Sequence, residues 1–559
     1  MRKNLSAFTL LFLFTALQAQ VNRNIPPVSS LVSSEFFTTL AQINLPPFNL
    51  QAAIELDKAE AERNEMPKFS RSIFTDITFK NSGTWTVLPN GSRVWRLQIT
   101  SKDAEALLPY FKKFYLPKGS SFHVYTPDRE EMIGAFTNEN NPTDGYYATG
   151  LIHGETCILE YFEPLEVKDR GEICLNEIGH AYRWVENYFP KKHKAGGSPL
   201  SFNQSDVCEV NVNCSEGAAW QNEKRAVACI IVQSNFGQGS CSGTMINNVR
   251  QDCTPYLLSA QHCTEGTTTN QYSQWLFYYN FEAPTCSNPS AIGHLGDYFV
   301  TGCTKKADSN DNGGDTGSDF LLLQLTNTPP DTFHLYYAGW SAANVASDSG
   351  VCIHHPYTDM KKISTYTQAT VSDTWNTVAG THWRTRWAAT TNGHGVTEEG
   401  SSGSALFNKN KQIIGTLTGG DSYCSTPNAA DYFGKLSYHW VSNGTTNNLR
   451  LKPWLDPDST GTISLNGKDA ICNATGINRV EENISLRVFP NPSNEVFNLQ
   501  FDETMEKSVR VFDALGRIIF EKKTNEQNFA IDLSGASKGI YILETQSSLG
   551  KAQQKLILK

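Results

Sequence analysis

The sequence predicts an all-β protein built from several domains, and three observations predict it. Apolar and polar residues alternate in short runs, as in Trp95-Arg96-Leu97-Gln98-Ile99 and Phe122-His123-Val124-Tyr125, the period of a strand with one buried face. Turn residues punctuate these runs, with 41 Gly and 24 Pro along the chain. A composition of 39% hydrophobic, 11% aromatic and 18% charged residues belongs to a folded, turn-rich chain rather than a disordered one. At roughly 150 residues per domain, 559 residues hold three or four domains. The net charge is −9, from 47 Lys and Arg against 56 Asp and Glu, and no basic cluster could neutralise many phosphates. Dedicated nucleic-acid binding is therefore excluded from the expectations.

Taken in order, residues 1–19 read as a secretory signal peptide. Arg2 and Lys3 precede an apolar run from Leu5 to Leu17, which ends in small and polar residues with cleavage expected after Ala19. No later run reaches eighteen apolar residues, so no membrane-spanning helix is expected. Residues 20–202 read as a β-rich N-terminal domain, closed by turns such as Pro117-Lys118-Gly119 and ending in the exposed linker Lys191-Lys192-His193-Lys194-Ala195-Gly196-Gly197-Ser198-Pro199. A protease could cut this linker. Residues 203–469 hold most of the 13 cysteines, which in an oxidising compartment default to disulfides. After a linker at 470–484, residues 485–559 alternate again: Phe497, Leu499 and Phe501, then Val509 and Val511, a turn at Asp513-Ala514-Leu515-Gly516, and Ile540 with Ile542. This pattern predicts a small β-sandwich.

The central segment carries the chemistry. His262 stands where the apolar strand Leu257-Leu258-Ser259 runs into Ala260-Gln261-His262-Cys263, and a cysteine beside a histidine can pin its loop. Downstream, Glu399-Gly400-Ser401-Ser402-Gly403-Ser404 sets a serine between glycines. Such a turn leaves room for a substrate carbonyl and frees backbone N–H groups to face an oxyanion. Ser402 is the expected nucleophile, with the amides of Gly400 and Ser402 as oxyanion hole. Asp319, opening the apolar strand after Gly317-Ser318, is the carboxylate expected to orient the imidazole, since a buried carboxylate persists only when paired. The chain order His, Asp, Ser is that of the chymotrypsin class and predicts a double β-barrel.

These stretches resemble the lysyl endopeptidases, a secreted bacterial branch of the trypsin-like serine proteases. The resemblance rests on CEVNVNCSEG from Cys208, CSGTMINN from Cys241, LLSAQHC, SDFLLLQL, IHHP from Ile353, GVTEEGSSGSALF from Gly395 and WLDPDSTG from Trp454. It implies disulfides Cys208–Cys424, Cys214–Cys286 and Cys241–Cys263, and a substrate-pocket carboxylate at Asp431, since Val396 occupies the position of the trypsin pocket aspartate. A carboxylate at the base of a slot favours a lysine ammonium, with arginine as the neighbouring possibility. The resemblance also implies a tryptophan and a second histidine beside the catalytic imidazole. Trp375 is assigned to the first, and Thr418 stands where the second is expected. Ser401, preceding the nucleophile, replaces the aspartate that pairs with the new N-terminus in trypsin. Removal of the N-terminal segment, which is similar to the propeptides of this group between Trp95 and Tyr182, is therefore expected to unblock the site or end a chaperone role, with autocleavage after Lys194.

The tail, with VFPNPSNEVFNL, DALGR and DLSGASKGIYIL, resembles the type A C-terminal sorting domain of type IX secretion. It implies passage across an outer membrane to the medium or the cell surface, with the secretion machinery as partner. Two decoys accompany these motifs. Asp308-Ser309-Asn310-Asp311-Asn312-Gly313 imitates the start of a calcium loop, but strand-like flanks make a solvated acidic turn the expectation. His354-His355-Pro356 reads as structural, and no metal or other cofactor is expected. Cys229, Cys253, Cys303 and Cys352 could bridge further, as could Cys157 with Cys174, while Cys472 is the expected unpaired cysteine. The expected protein is a monomeric secreted serine endopeptidase acting on proteins or peptides. The competing readings are a protease-like surface adhesin with little turnover and a protease of another primary specificity.

Overall fold

The computed structural model describes residues 25–559 apart from 38, 64–65, 168–169, 184–204, 290–297, 472–485 and, in the tail, 502–503, 505, 514–516 and 548–549. The expected signal peptide, the linker with Lys194, Cys472 and the turn residues Ala514-Leu515-Gly516 lie outside the described residues. The chain divides into two compact units, Met1–Cys472 and Asn473–Lys559. No helix among the described residues is long and apolar enough to cross a membrane.

In the first unit the N-terminal segment builds two sheets. One runs in the order Ala41–Asn44, Arg93–Thr100, Thr156–Glu163, Ser121–Tyr125 and Met132–Phe136. The other contains Lys68–Ile77, Glu172–Ala181 and Ala106–Tyr115, and it continues into the central segment. Lys68–Ile77 pairs antiparallel with Gly237–Met245, placing Lys68 opposite Gly239 and Ser70 opposite Gln238. Its other edge pairs with Glu172–Ala181. The N-terminal domain is thus joined to its neighbour through a shared sheet. Cys229, Ile231, Leu276 and Phe299 pack in the same apolar cluster as Phe111 and Ile152, so the core crosses the sequence boundary as well.

The central segment forms two barrel-like sheets. The first follows the order Phe299–Thr301, Leu276–Tyr278, Val227–Ser234, Gly237–Met245, Tyr256–Ser259, Leu321–Leu325 and Cys303–Asp308. Gly302 alone separates the two end strands, so the sheet curls back on itself. Leu321, Leu322 and Leu323 are all fully buried, which explains why this strand reads as a continuous apolar run. The second sheet runs Lys362–Tyr366, Gly350–His354, Ala405–Asn408, Gln412–Gly420, Ala430–Lys435, His382–Arg386 and Val371–Asp373. Tyr366, Trp383, Leu406, Ile414 and Phe433 fill it.

Disulfides join Cys208 to Cys424, Cys214 to Cys286 and Cys241 to Cys263. Cys253 is also disulfide-bonded. Cys157 and Cys174 do not bridge: they lie in strands of different sheets and are buried free thiols, as are Cys303 and Cys352.

The second unit has a three-stranded sheet, Leu486–Phe489, Val496–Phe501 and Asn528–Asp532, and a four-stranded one, Ile518–Thr524, Lys507–Phe512, Gly539–Ser547 and Gly550–Leu558. Phe497, Leu499, Phe501, Val509 and Val511 point inward. In Gly539–Ser547 the phase is opposite to the one expected: Tyr541 and Leu543 are buried, whereas Ile540 is 52% exposed. An unbroken apolar run, Ile540 to Leu543, contains both alternations, and only the pairing partners select one.

Candidate active site

His262 sits on the short turn Gln261–Thr264 that follows strand Tyr256–Ser259. The bridge from Cys263 to Cys241 anchors this turn to strand Gly237–Met245. The backbone N–H of His262 donates to Asp319 Oδ1 at 3.0 Å, and Nδ1 lies 2.7 Å from Oδ2. One carboxylate therefore fixes both the turn and the ring. Nδ1 carries the proton that it gives to Asp319, which leaves Nε2 unprotonated. Burial opposes a charge on this ring, but the charge of Asp319 and its hydrogen bond outweigh it, and the pKa of His262 is raised above the usual imidazole value.

Asp319 is itself fully buried and held in a left-handed conformation with φ 54°. The acidic loop that imitated a calcium site secures it. Asp311 Oδ2 accepts the Asp319 N–H at 2.8 Å, while Oδ1 accepts from Ser309 Oγ at 2.6 Å and from Gly314 N–H at 3.1 Å. Burial, together with the charge of Asp319, raises the pKa of Asp311. The Gly313 N–H donates to Gln261 Oε1 at 2.7 Å, linking the same loop to the residue before His262. Sequence reasoning missed Asp311, although its place eight residues before Asp319 on an Asp/Asn-rich turn was the available signal.

Ser402 comes from the other sheet, on the turn before strand Ala405–Asn408. Its carbonyl accepts from Ser242 N–H at 2.8 Å. The next residue, Gly403, has φ +79° and lies so near Ser259 that a Cβ would meet its Oγ at 2.1 Å, which brings the serine turn against the strand leading to His262. Gly400 has φ +90°, and a Cβ there would meet His355 O at 2.9 Å. Only glycine suits both positions. Among the described residues the N–H groups of Gly400 and Ser402 have no acceptor. Ser401 between them is fully buried, and His354 Nδ1 lies 2.7 Å from its Oγ.

Asp431 lies on strand Ala430–Lys435 and is completely buried. Its Oδ2 accepts from Ser422 Oγ at 2.5 Å, Trp387 Nε1 at 2.6 Å and Thr397 Oγ1 at 2.7 Å. Thr397, which makes one of these bonds, is five residues before Ser402 in the chain. Burial raises the Asp431 pKa to about 6 against the effect of these donors. Trp375, Asp319 and Thr418 all come within 3.4 Å of a Cβ built on Gly314, so the three meet beside the His262–Asp319 pair. Thr418 does not stand alone: His382 Nε2 is 3.0 Å from its Oγ1, and burial lowers the His382 pKa to about 4. This histidine, 6.1 Å from the Trp375 ring, was not singled out in the sequence because nothing near position 382 resembles a motif.

Comparison with known proteins identifies the family. Residues 202–434 match the family model described as lysyl endopeptidase, C-terminal domain, and residues 487–559 match the secretion system C-terminal sorting domain. A lysyl endopeptidase of Pseudomonas aeruginosa is 30% identical over 373 residues, which cover 63% of this chain and 75% of that protein. Solved structures that resemble it include a thermostable serine protease from an extremophilic microorganism (12% identity, TM-score 0.28, 38% of this chain and 92% of that one). A Glu endopeptidase is also similar (15% identity, TM-score 0.25, 42% and 94%), though scores this low add no weight to the fold. The sorting domain makes the protein an exported one, released or attached at the cell surface. With 30% identity to a lysyl endopeptidase over three quarters of that protein's length, the chain belongs to the lysyl endopeptidase family of serine endopeptidases.

Proposed function

We propose that the protein hydrolyses peptide bonds after lysine through an acyl-enzyme. The observation that carries this reading is the pair of bonds from His262 to Asp319, which leave Nε2 as the base. Ser402 Oγ attacks the scissile carbonyl as Nε2 takes its proton, and the N–H groups of Gly400 and Ser402 receive the oxyanion. The protonated imidazole, stabilised by Asp319, then returns the proton to the leaving amine. Water repeats the sequence to release the acid. Each oxyanion donor contributes roughly 10²–10³ in kcat.

Asp431 supplies the charge for a substrate ammonium. Lysine's compact head reaches a carboxylate already crowded by four donors more easily than a guanidinium fork does. Trp375 walls the site beside His262, and residues 20–202 act as a removable propeptide, cut after Lys194. A serine-directed phosphonylating reagent tests the reading. Stoichiometric labelling of Ser402 in the processed enzyme is expected, and its absence sinks the enzyme mechanism in favour of a binding protein. Mapping the cleavage sites of a denatured substrate separates the specificity. Ends not concentrated after Lys, or an unchanged preference in Asp431→Ala, refute the role of Asp431.

A further inference from the structure

Ser401 Oγ is the hub of the turn that carries the nucleophile. The Glu398 N–H donates to it at 3.2 Å, Ser401 N–H donates to Glu398 O at 2.9 Å, and Ser404 N–H donates to Ser401 O at 3.0 Å. The direction of the remaining bonds follows from a proton inventory. Ser364 Oγ donates its one proton to Val396 O at 2.6 Å, so toward His354 Nε2, 3.1 Å away, it acts only as acceptor. Nε2 therefore carries the ring proton and Nδ1 is bare. Nδ1 then accepts the Ser401 hydroxyl proton at 2.7 Å. A charged imidazole would have a proton on both nitrogens and would reverse this bond, making Ser401 Oγ the acceptor.

The surroundings keep the ring neutral. It is fully buried, and burial, with the nearby Lys362 charge, lowers its pKa to about 3. Glu209 Oε2 is 3.8 Å from Nε2, too far for a hydrogen bond, and burial drives the Glu209 pKa well up toward its neutral form. The residues after His354 run along the same turn. His355 N–H donates to Ser242 Oγ at 2.9 Å, Ser242 Oγ donates to Gly400 O at 2.9 Å, and Tyr357 N–H donates to Glu399 O at 2.5 Å. Segment 354–357 is thus a template laid against residues 399–401, with His354 at its head.

We propose that His354 is a positioning residue for the reaction: its neutral imidazole accepts from Ser401 and so sets the turn whose Gly400 and Ser402 amides receive the oxyanion. This rests on the reading of Ser402 as nucleophile. It also replaces the device implied by the trypsin class. There, an ion pair to the residue before the nucleophile forms only after cleavage. Here a neutral bond holds that residue while residues 66–183 are still seated on the central segment. Assembly of the oxyanion turn does not wait for a new N-terminus.

The test is steady-state hydrolysis of a lysyl amide by processed wild-type enzyme and by His354→Ala, Ser401→Ala, the double variant and His354→Asn, each checked for folding by circular dichroism and thermal unfolding. Both alanine variants should lose about 100-fold or more in kcat, the scale of one misplaced oxyanion donor, with KM within about twofold. The double variant should be no slower than the slower single one, because both remove the same bond. His354→Asn, whose Oδ1 can accept from Ser401 in place of Nδ1, should recover at least about tenfold of the alanine loss. If His354→Ala does not fold, Ser401→Ala, which deletes one oxygen, decides. Folded variants with wild-type kcat, a loss confined to KM, additive losses or no recovery by Asn overturn the proposal. Failure of wild-type Ser402 to take a phosphonyl label would instead overturn the nucleophile reading.

Discussion

Asp431 is a carboxylate whose protonation falls inside the working range of a protease. Burial places its pKa at about 6, while the hydrogen bonds from Ser422, Trp387 and Thr397 hold it from rising further. Above pH 6 it is charged and, on the proposed specificity, attracts a lysine ammonium; as pH falls through 6 that attraction should be lost. The ratio of kcat/KM for a lysyl substrate to that for its norleucyl isostere cancels the titration of His262, which both substrates need. That ratio should be constant above about pH 7 and fall toward tenfold per unit below pH 6, because one proton is taken up. In Asp431→Asn it should be low and flat. A wild-type ratio independent of pH between 4 and 8 would remove Asp431 from substrate recognition.

At the scale of elements, the proposed mechanism depends on two turns from different sheets meeting. The Cys241–Cys263 bridge spans 22 residues and lies against that meeting, with Cys263 Sγ 4.0 Å from Ser402 O. By loop-closure entropy it contributes about 3 kcal/mol, against about 5 for Cys208–Cys424 with its span of 216. Replacing both cysteines of the short bridge by alanine should therefore lower kcat at least tenfold with the smaller loss in thermal stability, while Cys208/Cys424→Ala should do the reverse. Activity and unfolding temperature measured on both variants check this. The elements were legible to different degrees for one reason. His262, Asp319 and Ser402 each bring a local signature, a turn or strand edge of recognisable residues. His382 and the partnership of His354 with Ser401 do not, because their roles arise from contacts across 36 and 47 positions of chain, while the turn carrying Asp311 imitates a different site. The strand at Ile540 shows the same limit, since an apolar run does not reveal which face its pairing will bury.

On the scale of the whole molecule, the N-terminal segment does more than precede the protease. Strand Lys68–Ile77 completes the edge of Gly237–Met245 and runs antiparallel to it, so that Met66 arrives beside the bridge that borders the serine turn. Met66 Sδ is 3.8 Å from Cys241 Sγ, and Met66 belongs to the barrel's own apolar cluster. Arg71, paired with Asp57 and Glu60 of its own segment, also donates to the Phe236 carbonyl across the boundary. A cut after Lys194 leaves the residues of all these contacts within the two pieces. Chain nicked there should accordingly stay together on size-exclusion chromatography and hydrolyse a protein substrate slowly, with activity rising only as the N-terminal piece is degraded or displaced. Met66→Asp places an unpaired charge in a buried apolar site, at a cost of several kcal/mol to the contact, and should shorten that lag at least tenfold. Nicked chain whose pieces separate at once with full activity would show that the shared sheet is no barrier, and that control lies in the linker alone.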